Sequence, residues 1–151
     1  MFKLISAGLL PFAMALASGI IMAVQGSVNT ALGKNTGVLE ASFIVHLVGT
    51  VSAFLLIFVF KLGSGDVLAF SAAPWYTWLG GVLGVAIVYL VAASIPGIGM
   101  ANATTAIIVG QVATACLIDH FGAVGLERRP FGYEQLIGLA LLAIGAKFLL
   151  K

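Results

Sequence analysis

Charged residues are scarce in this sequence, at 8% of 151 positions, whereas 62% are hydrophobic and 19 are glycine. A soluble domain of this size keeps about a quarter of its residues charged, so most of this surface is not built for water. The solvent it suits is a bilayer. Cysteine is nearly absent too. Cys116 stands alone, which excludes a disulfide scaffold and any paired-thiol motif, and among apolar neighbours it reads as a small hydrophobe. A net charge of only +2 gives a nucleic acid no basic face to bind. HExxH, CxxC and GxSxG signatures are missing, and Gly33-Lys34-Asn35-Thr36-Gly37 is a polar turn without the glycine spacing of a phosphate loop. The chain therefore reads as neither an enzyme nor a carrier of a metal or cofactor.

What is present is a set of long apolar runs. The seven basic and five acidic residues fall at Lys3, Lys34, Glu40, Lys61, Asp66, Asp119, Glu127, Arg128, Arg129, Glu134, Lys147 and Lys151. The gaps between them admit helices of the roughly 20 residues that cross a hydrocarbon core. The first is expected over about 4–32 and the second over about 39–60. The uncharged stretch Val67 to Ile118 is too long for one helix and is expected to break at Ser94-Ile95-Pro96-Gly97-Ile98-Gly99, where a proline and two glycines end one helix and permit a return. That gives a third helix over 75–95, opened by Pro74 as first helical residue with Trp75, Tyr76 and Trp78 in an interfacial belt. A fourth follows over 101–118 and a shorter fifth over 133–150, its Lys147 snorkelling to the headgroups. Lys3 and the small residues Ala13 to Ala17 resemble a secretory signal, but the apolar pattern continues through Ile20 to Val24 and four more spans follow, so this segment reads as helix one. The expectation is an all-α integral membrane protein with a single five-helix domain over 1–151.

Charge also bears on orientation. With five spans, Lys3, Lys61, Arg128 and Arg129 fall on one side of the membrane, against Lys34, Lys147 and Lys151 on the other. Orientation follows a clear excess of Lys and Arg on one face, and four against three is almost none. Either Arg128-Arg129 alone orients the chain, or both orientations coexist and pair antiparallel; the second is preferred, since an odd number of helices then supplies an inverted repeat.

Polar residues inside the spans carry most of the functional information, because each is costly in lipid unless paired or facing a wet cavity. At about 1.5 Å per residue, Gln111 falls near the midplane of helix four, His46 and Tyr89 about 6 Å from the centres of helices two and three, and Gln25 about 10 Å from that of helix one. Ser18, Met22, Gln25 and Asn29 share one face of helix one; Ser42, His46, Gly49 and Ala53 share one of helix two; Thr104, Ile108, Gln111 and Ala115 share one of helix four. Gln25 and Gln111 read equally as interhelical hydrogen-bonding residues, and His46 either as a packing residue or as a titrating or ligand-binding one. No acid lies deep in a span. Asp119 and His120 end helix four as a cap or a gate, and Glu40 complements the dipole at the start of helix two. Gly80 and Gly84 make a GxxxG, and Gly138 and Gly145 lie seven apart on helix five. Such stripes serve close packing inside a subunit or between subunits.

Gln25-Gly26-Ser27-Val28-Asn29-Thr30-Ala31-Leu32-Gly33, Ala41-Ser42-Phe43, Val48-Gly49-Thr50, Gly80-Gly81-Val82-Leu83-Gly84 and above all Gly110 to Gly122 resemble the YdcZ-like family of the drug/metabolite transporter superfamily, over nearly the whole chain. His46 departs from that pattern, which is apolar there. The resemblance implies a five-helix half-transporter that pairs with an inverted copy into a ten-helix assembly. There is also a distant similarity to small multidrug resistance proteins, whose last helix dimerises through two glycines spaced as Gly138 and Gly145 are. Those relatives carry a central glutamate in helix one, which the region around Ser18 lacks.

The functional expectation is a multi-pass plasma or inner membrane transporter of a small organic solute, working by alternating access as a dual-topology antiparallel homodimer. Gln25, His46, Tyr89 and Gln111 would line the substrate site, with Asn29 and Asn102 nearer its mouths. Asp119 and His120 would gate, and Gly138 and Gly145 would form the dimer interface. A dual-topology ion channel and a non-transporting membrane assembly subunit are the alternatives.

Overall fold

The structure is a computed structural model that describes residues 2–123 and 126–149. Five α-helices follow in order: α1 (Phe2–Thr36), α2 (Val38–Phe54), α3 (Leu79–Ile98), α4 (Met100–Phe121) and α5 (Tyr133–Leu149). No strand occurs among the described residues. Four helical stretches are long and apolar enough to cross a membrane: Leu9–Thr36, Val38–Val59, Trp75–Ile98 and Met100–Phe121. The 17 described residues of α5 extend about 25 Å, against about 30 Å of hydrocarbon. The chain divides into two compact units, one ending at Pro96 and the other beginning at Gly97.

In the first unit, α1 and α2 are separated by one residue. Gly37 has φ 99° and ψ 148°, a region essentially restricted to glycine. Its N–H closes α1 on the Gly33 carbonyl at 3.0 Å, and its own carbonyl opens α2 by accepting the Ala41 N–H at 2.9 Å. A Cβ at Gly37 would overlap the Glu40 carboxylate, which sits in the first turn of α2. α1 continues past Leu32 to Thr36, and in this last turn Asn35 and Thr36 donate back to the Ala31 and Leu32 carbonyls, at 3.2 and 3.0 Å.

The helices meet through small residues. Among the residues whose burial is described, Gly26, Asn29, Thr30 and Gly33 are the buried positions of α1, and Ala41 and Ser42 those of α2. A Cβ added at Gly33 would lie 3.5 Å from the Val38 Cα, so backbone there faces backbone. The polar stripe expected on helix one is buried only at Asn29; Ser18, Met22 and Gln25 are exposed. The reason is that close approach requires the smallest side chains, and these recur at 26, 30 and 33, one helical face away from Gln25.

Beyond Phe54 the helix widens into a π-helical turn over Leu55–Val59, with the Phe60 N–H on the Leu55 carbonyl at 2.9 Å, and stops at Lys61 in a left-handed conformation. Asp66 then accepts the Leu68 N–H at 2.8 Å and starts a 3-10 turn, Val67–Ala72. Helix three differs from expectation at both ends. Pro74, at φ −54° and ψ 141°, lies outside it, and Trp75–Trp78 form a 3-10 turn before the regular helix. The Pro74 carbonyl accepts both the Thr77 N–H and the Thr77 hydroxyl, at 3.0 and 2.7 Å, which favours the tighter turn. At the far end Pro96 and Gly97 are still helical, and only Gly99, with φ 83°, lies outside the two helices. Pro96 has no N–H to give the carbonyl four residues back, yet α3 runs two residues beyond it, so the proline weakens the last turn without ending the helix.

The second unit is the pair α4 and α5. α4 ends in left-handed Gly122 (φ 62°, ψ 38°), whose N–H reaches back to the Asp119 carbonyl at 3.3 Å. A Cβ there would come within 3.1 Å of the Arg128 Cβ and 3.2 Å of the Leu126 carbonyl. α5 starts where Gln135 accepts the Gly132 N–H at 3.0 Å, one half of a capping box.

All the buried apolar side chains described are alanines, Ala41, Ala92, Ala103 and Ala146, while Phe43 is 69% and Leu90 63% exposed. Large apolar groups face outward, as lipid permits. Two outcomes follow. Ala41→Leu destabilises the purified protein by about 1–3 kcal/mol through overpacking, whereas Phe43→Ala stays within about 0.5 kcal/mol, read by unfolding in a denaturing detergent. Gly122→Ala costs about 1–2 kcal/mol for its left-handed backbone, with the crowding against Arg128 added, and lowers the melting temperature.

Candidate functional site

In lipid, a side-chain polar group is either satisfied by its own helix or available for function. The hydroxyls of the long helices are mostly satisfied. Ser18 donates to Ala15, Ser27 to Ala23, Thr30 to Gly26, Thr50 to His46, Ser52 to Val48 and Thr105 to Ala101, each on a carbonyl three or four residues back. Such back-bonded groups are closed off.

His46 is different. Its Nδ1 lies 2.7 Å from the Ser42 carbonyl oxygen. A carbonyl can only accept, so Nδ1 carries a hydrogen and the neutral ring keeps Nε2 as a free acceptor. Ser42 is fully buried, and its hydroxyl donates across to the Val85 carbonyl of α3 at 3.3 Å. One turn of α2 thus ties α3 to the imidazole. Next to Val85, Gly84 leaves room for the ring: a Cβ there would stand 3.3 Å from Nε2. The sequence placed Ser42 on the His46 stripe and Gly84 in a GxxxG, but nothing in it joined the two.

The other residues of the first unit are spread along their helices. Asn29 is buried in the α1 contact stripe, and Tyr89 is 41% exposed on α3. Gln25 is exposed. In the second unit Gln111 is exposed and Asn102 half-buried on α4. Among the described residues, the side chains of Gln25, Tyr89, Asn102 and Gln111 make no hydrogen bond within the chain.

Asp119 and His120 are held by the loop that follows them. The Asp119 carbonyl accepts the Arg129 N–H at 2.7 Å. The His120 carbonyl accepts Arg128 Nε at 3.0 Å, and its Nδ1 accepts the Phe131 N–H at 3.0 Å. This histidine is therefore the opposite tautomer to His46, with Nδ1 bare and the hydrogen on Nε2. Arg128 and Phe131 escaped the sequence reading because contacts eight and eleven residues apart follow no helical period. His120 is the polar group in a cavity of about 390 Å³ otherwise lined by Ala113, Cys116, Leu117, Phe121, Phe131 and Leu139. Gly138 and Gly145 are exposed, and a Cβ at either would meet nothing within 4 Å.

Comparison with known proteins agrees with this membrane architecture. Residues 10–148 match a family model, DMT_YdcZ, described as "Putative inner membrane exporter, YdcZ". Inner membrane protein YdcZ of Escherichia coli (strain K12) is 27% identical over 139 residues, covering 91% of this chain and 92% of that protein. No solved structure matches the chain. Since the family match extends from α1 into α5 and four of these helices are long enough to span, the chain is a multi-pass inner-membrane protein belonging to the YdcZ family of drug/metabolite transporters.

Proposed function

We propose that this chain is half of a secondary transporter that moves a small organic solute by alternating access, working as an antiparallel pair of identical protomers. The family's description as an inner-membrane exporter supports the transport reading and favours export. The observation that carries it is the set of polar groups within apolar helices that the chain does not itself satisfy. His46 presents a bare Nε2 at half-buried depth, and Gln25 and Gln111 are exposed on helices built for lipid. Amides facing hydrocarbon are costly, so these positions suit a wet path or a second protomer. Gln25, His46, Tyr89 and Gln111 bind the solute, Asn29 and Asn102 serve the approaches, and Asp119 and His120 gate.

Pairing rests on charge and length. α5 crosses as a fifth span, its Lys147 snorkelling at one end, which leaves the cationic residues nearly balanced between the two faces. An odd number of spans in two opposite orientations reproduces the inverted repeat of transporters. The open stripe of Gly138 and Gly145 suits close contact with the partner's α5.

Topology is tested with Gly65→Cys, in the loop after α2, placed in a Cys116→Ala background and labelled in intact cells with an impermeant thiol reagent. The expected result is a labelled and a protected population of comparable size; protection or labelling of every molecule contradicts dual topology. For the site, Gln111→Ala abolishes solute flux into proteoliposomes and leaves the pair intact. Unchanged flux removes Gln111 from the path.

A further inference from the structure

Building on the transport reading, we infer that the solute is an organic acid anion and that it travels with one proton carried by His46. The first ground is the placement of charge. α3 (Leu79–Ile98) contains no charged residue, and its titratable group is Tyr89, five residues and about 7.5 Å along the helix from Gly84. α1 carries none between Lys3 and Lys34, and Lys34 lies in its last turn beside Gly37. On α2 itself the nearest charge is Glu40, six residues before His46, about 9 Å away along the axis and on another face. On the helices of its own unit, no acid stands within a turn of His46 to give a cationic solute a counter-ion. Protonated imidazole gives an anionic one its counter-ion.

The second ground is the geometry of the ring. Nδ1–H is committed to the Ser42 carbonyl at 2.7 Å, so a proton taken up by neutral His46 adds to the lone pair of Nε2, which has no hydrogen-bond partner among the described residues. The imidazolium then presents Nε2–H to a carboxylate oxygen in a charge-assisted hydrogen bond. When the carboxylate leaves, Nε2 loses its proton to water on the same side, and one anion and one proton have crossed. The cycle is electroneutral and needs no other reactant. The buried Ser42 hydroxyl, fixed on the Val85 carbonyl, holds the ring in this pose through both half-cycles.

The test uses the full chain in phosphatidylcholine liposomes containing a pH-sensitive dye, with protein-free liposomes subtracted. Lactate and gluconate are compared with tetramethylammonium and sorbitol. Inward carboxylate gradients are expected to acidify the lumen, faster at an external pH of about 6 than at about 8, because each anion enters together with a proton. His46→Gln should reduce this by about tenfold or more, the loss of one charge-assisted hydrogen bond. The wild-type pH profile decides the matter even if that variant does not fold, since acidification that rises with pH overturns the inference. Transport of tetramethylammonium or sorbitol without the carboxylates overturns it while the transporter reading stands. Carboxylate flux without acidification, or unaltered in folded His46→Gln, removes His46 as the proton carrier. Movement of no solute in either set overturns the transport reading and this inference with it.

Discussion

Close backbone approach through small residues is the constraint on which the rest of this molecule depends. Lipid supplies no hydrophobic force between helices, so association relies on van der Waals contact and hydrogen bonds, and both need the backbones near each other. Gly33 brings α1 against Val38 and Ala41, Gly84 admits His46 to α3, and Ala103 and Ala146 are buried on α4 and α5. Bulky residues are left on the surface. A soluble domain of the same length would bury its Leu, Ile and Phe side chains, and here they are the solvent-facing layer.

The same constraint sorts the polar groups. A hydroxyl can fold back onto its own helix and disappear from the electrostatics, and most of those on the long helices do. Imidazole and amide groups cannot close off fully in this way. His46 satisfies one nitrogen on Ser42 and keeps the other, and its pose is set by a fully buried serine that also bonds to α3. The two histidines illustrate the sorting. His46 spends its hydrogen on the helix and leaves an acceptor, whereas His120 spends its acceptor on the Phe131 N–H and leaves a donor. One keeps a ring nitrogen without a partner, and the other is tied into the loop between α4 and α5.

The four long apolar helices were legible in the sequence because charge is excluded from the hydrocarbon and therefore marks its edges. The Gly99 break was legible for the same reason that Gly37 is a turn: a positive φ next to helix on both sides suits glycine. The 3-10 turn at Trp75–Trp78 and the helical placement of Pro96 were not, because they depend on single carbonyl partners and on distance from a helix end rather than on composition. For the site, helical spacing put Ser42 beside His46 and Gln25 beside Asn29. Spacing alone could not separate the face used for packing, where Gly26, Asn29 and Thr30 lie, from the face left open, where Gln25 lies. Nor could it find the long-range partners Val85, Arg128 and Phe131, since no local period connects them to the residues they bind.

The central claim is that one chain is half of the working unit. Fluorescently labelled protein in native-lipid nanodiscs, counted by single-molecule photobleaching, tests it most directly. Two bleaching steps per functional particle are expected, with Gly138→Ile and Gly145→Ile together shifting the population to one step. Single-step bleaching of wild-type particles that still transport would contradict it.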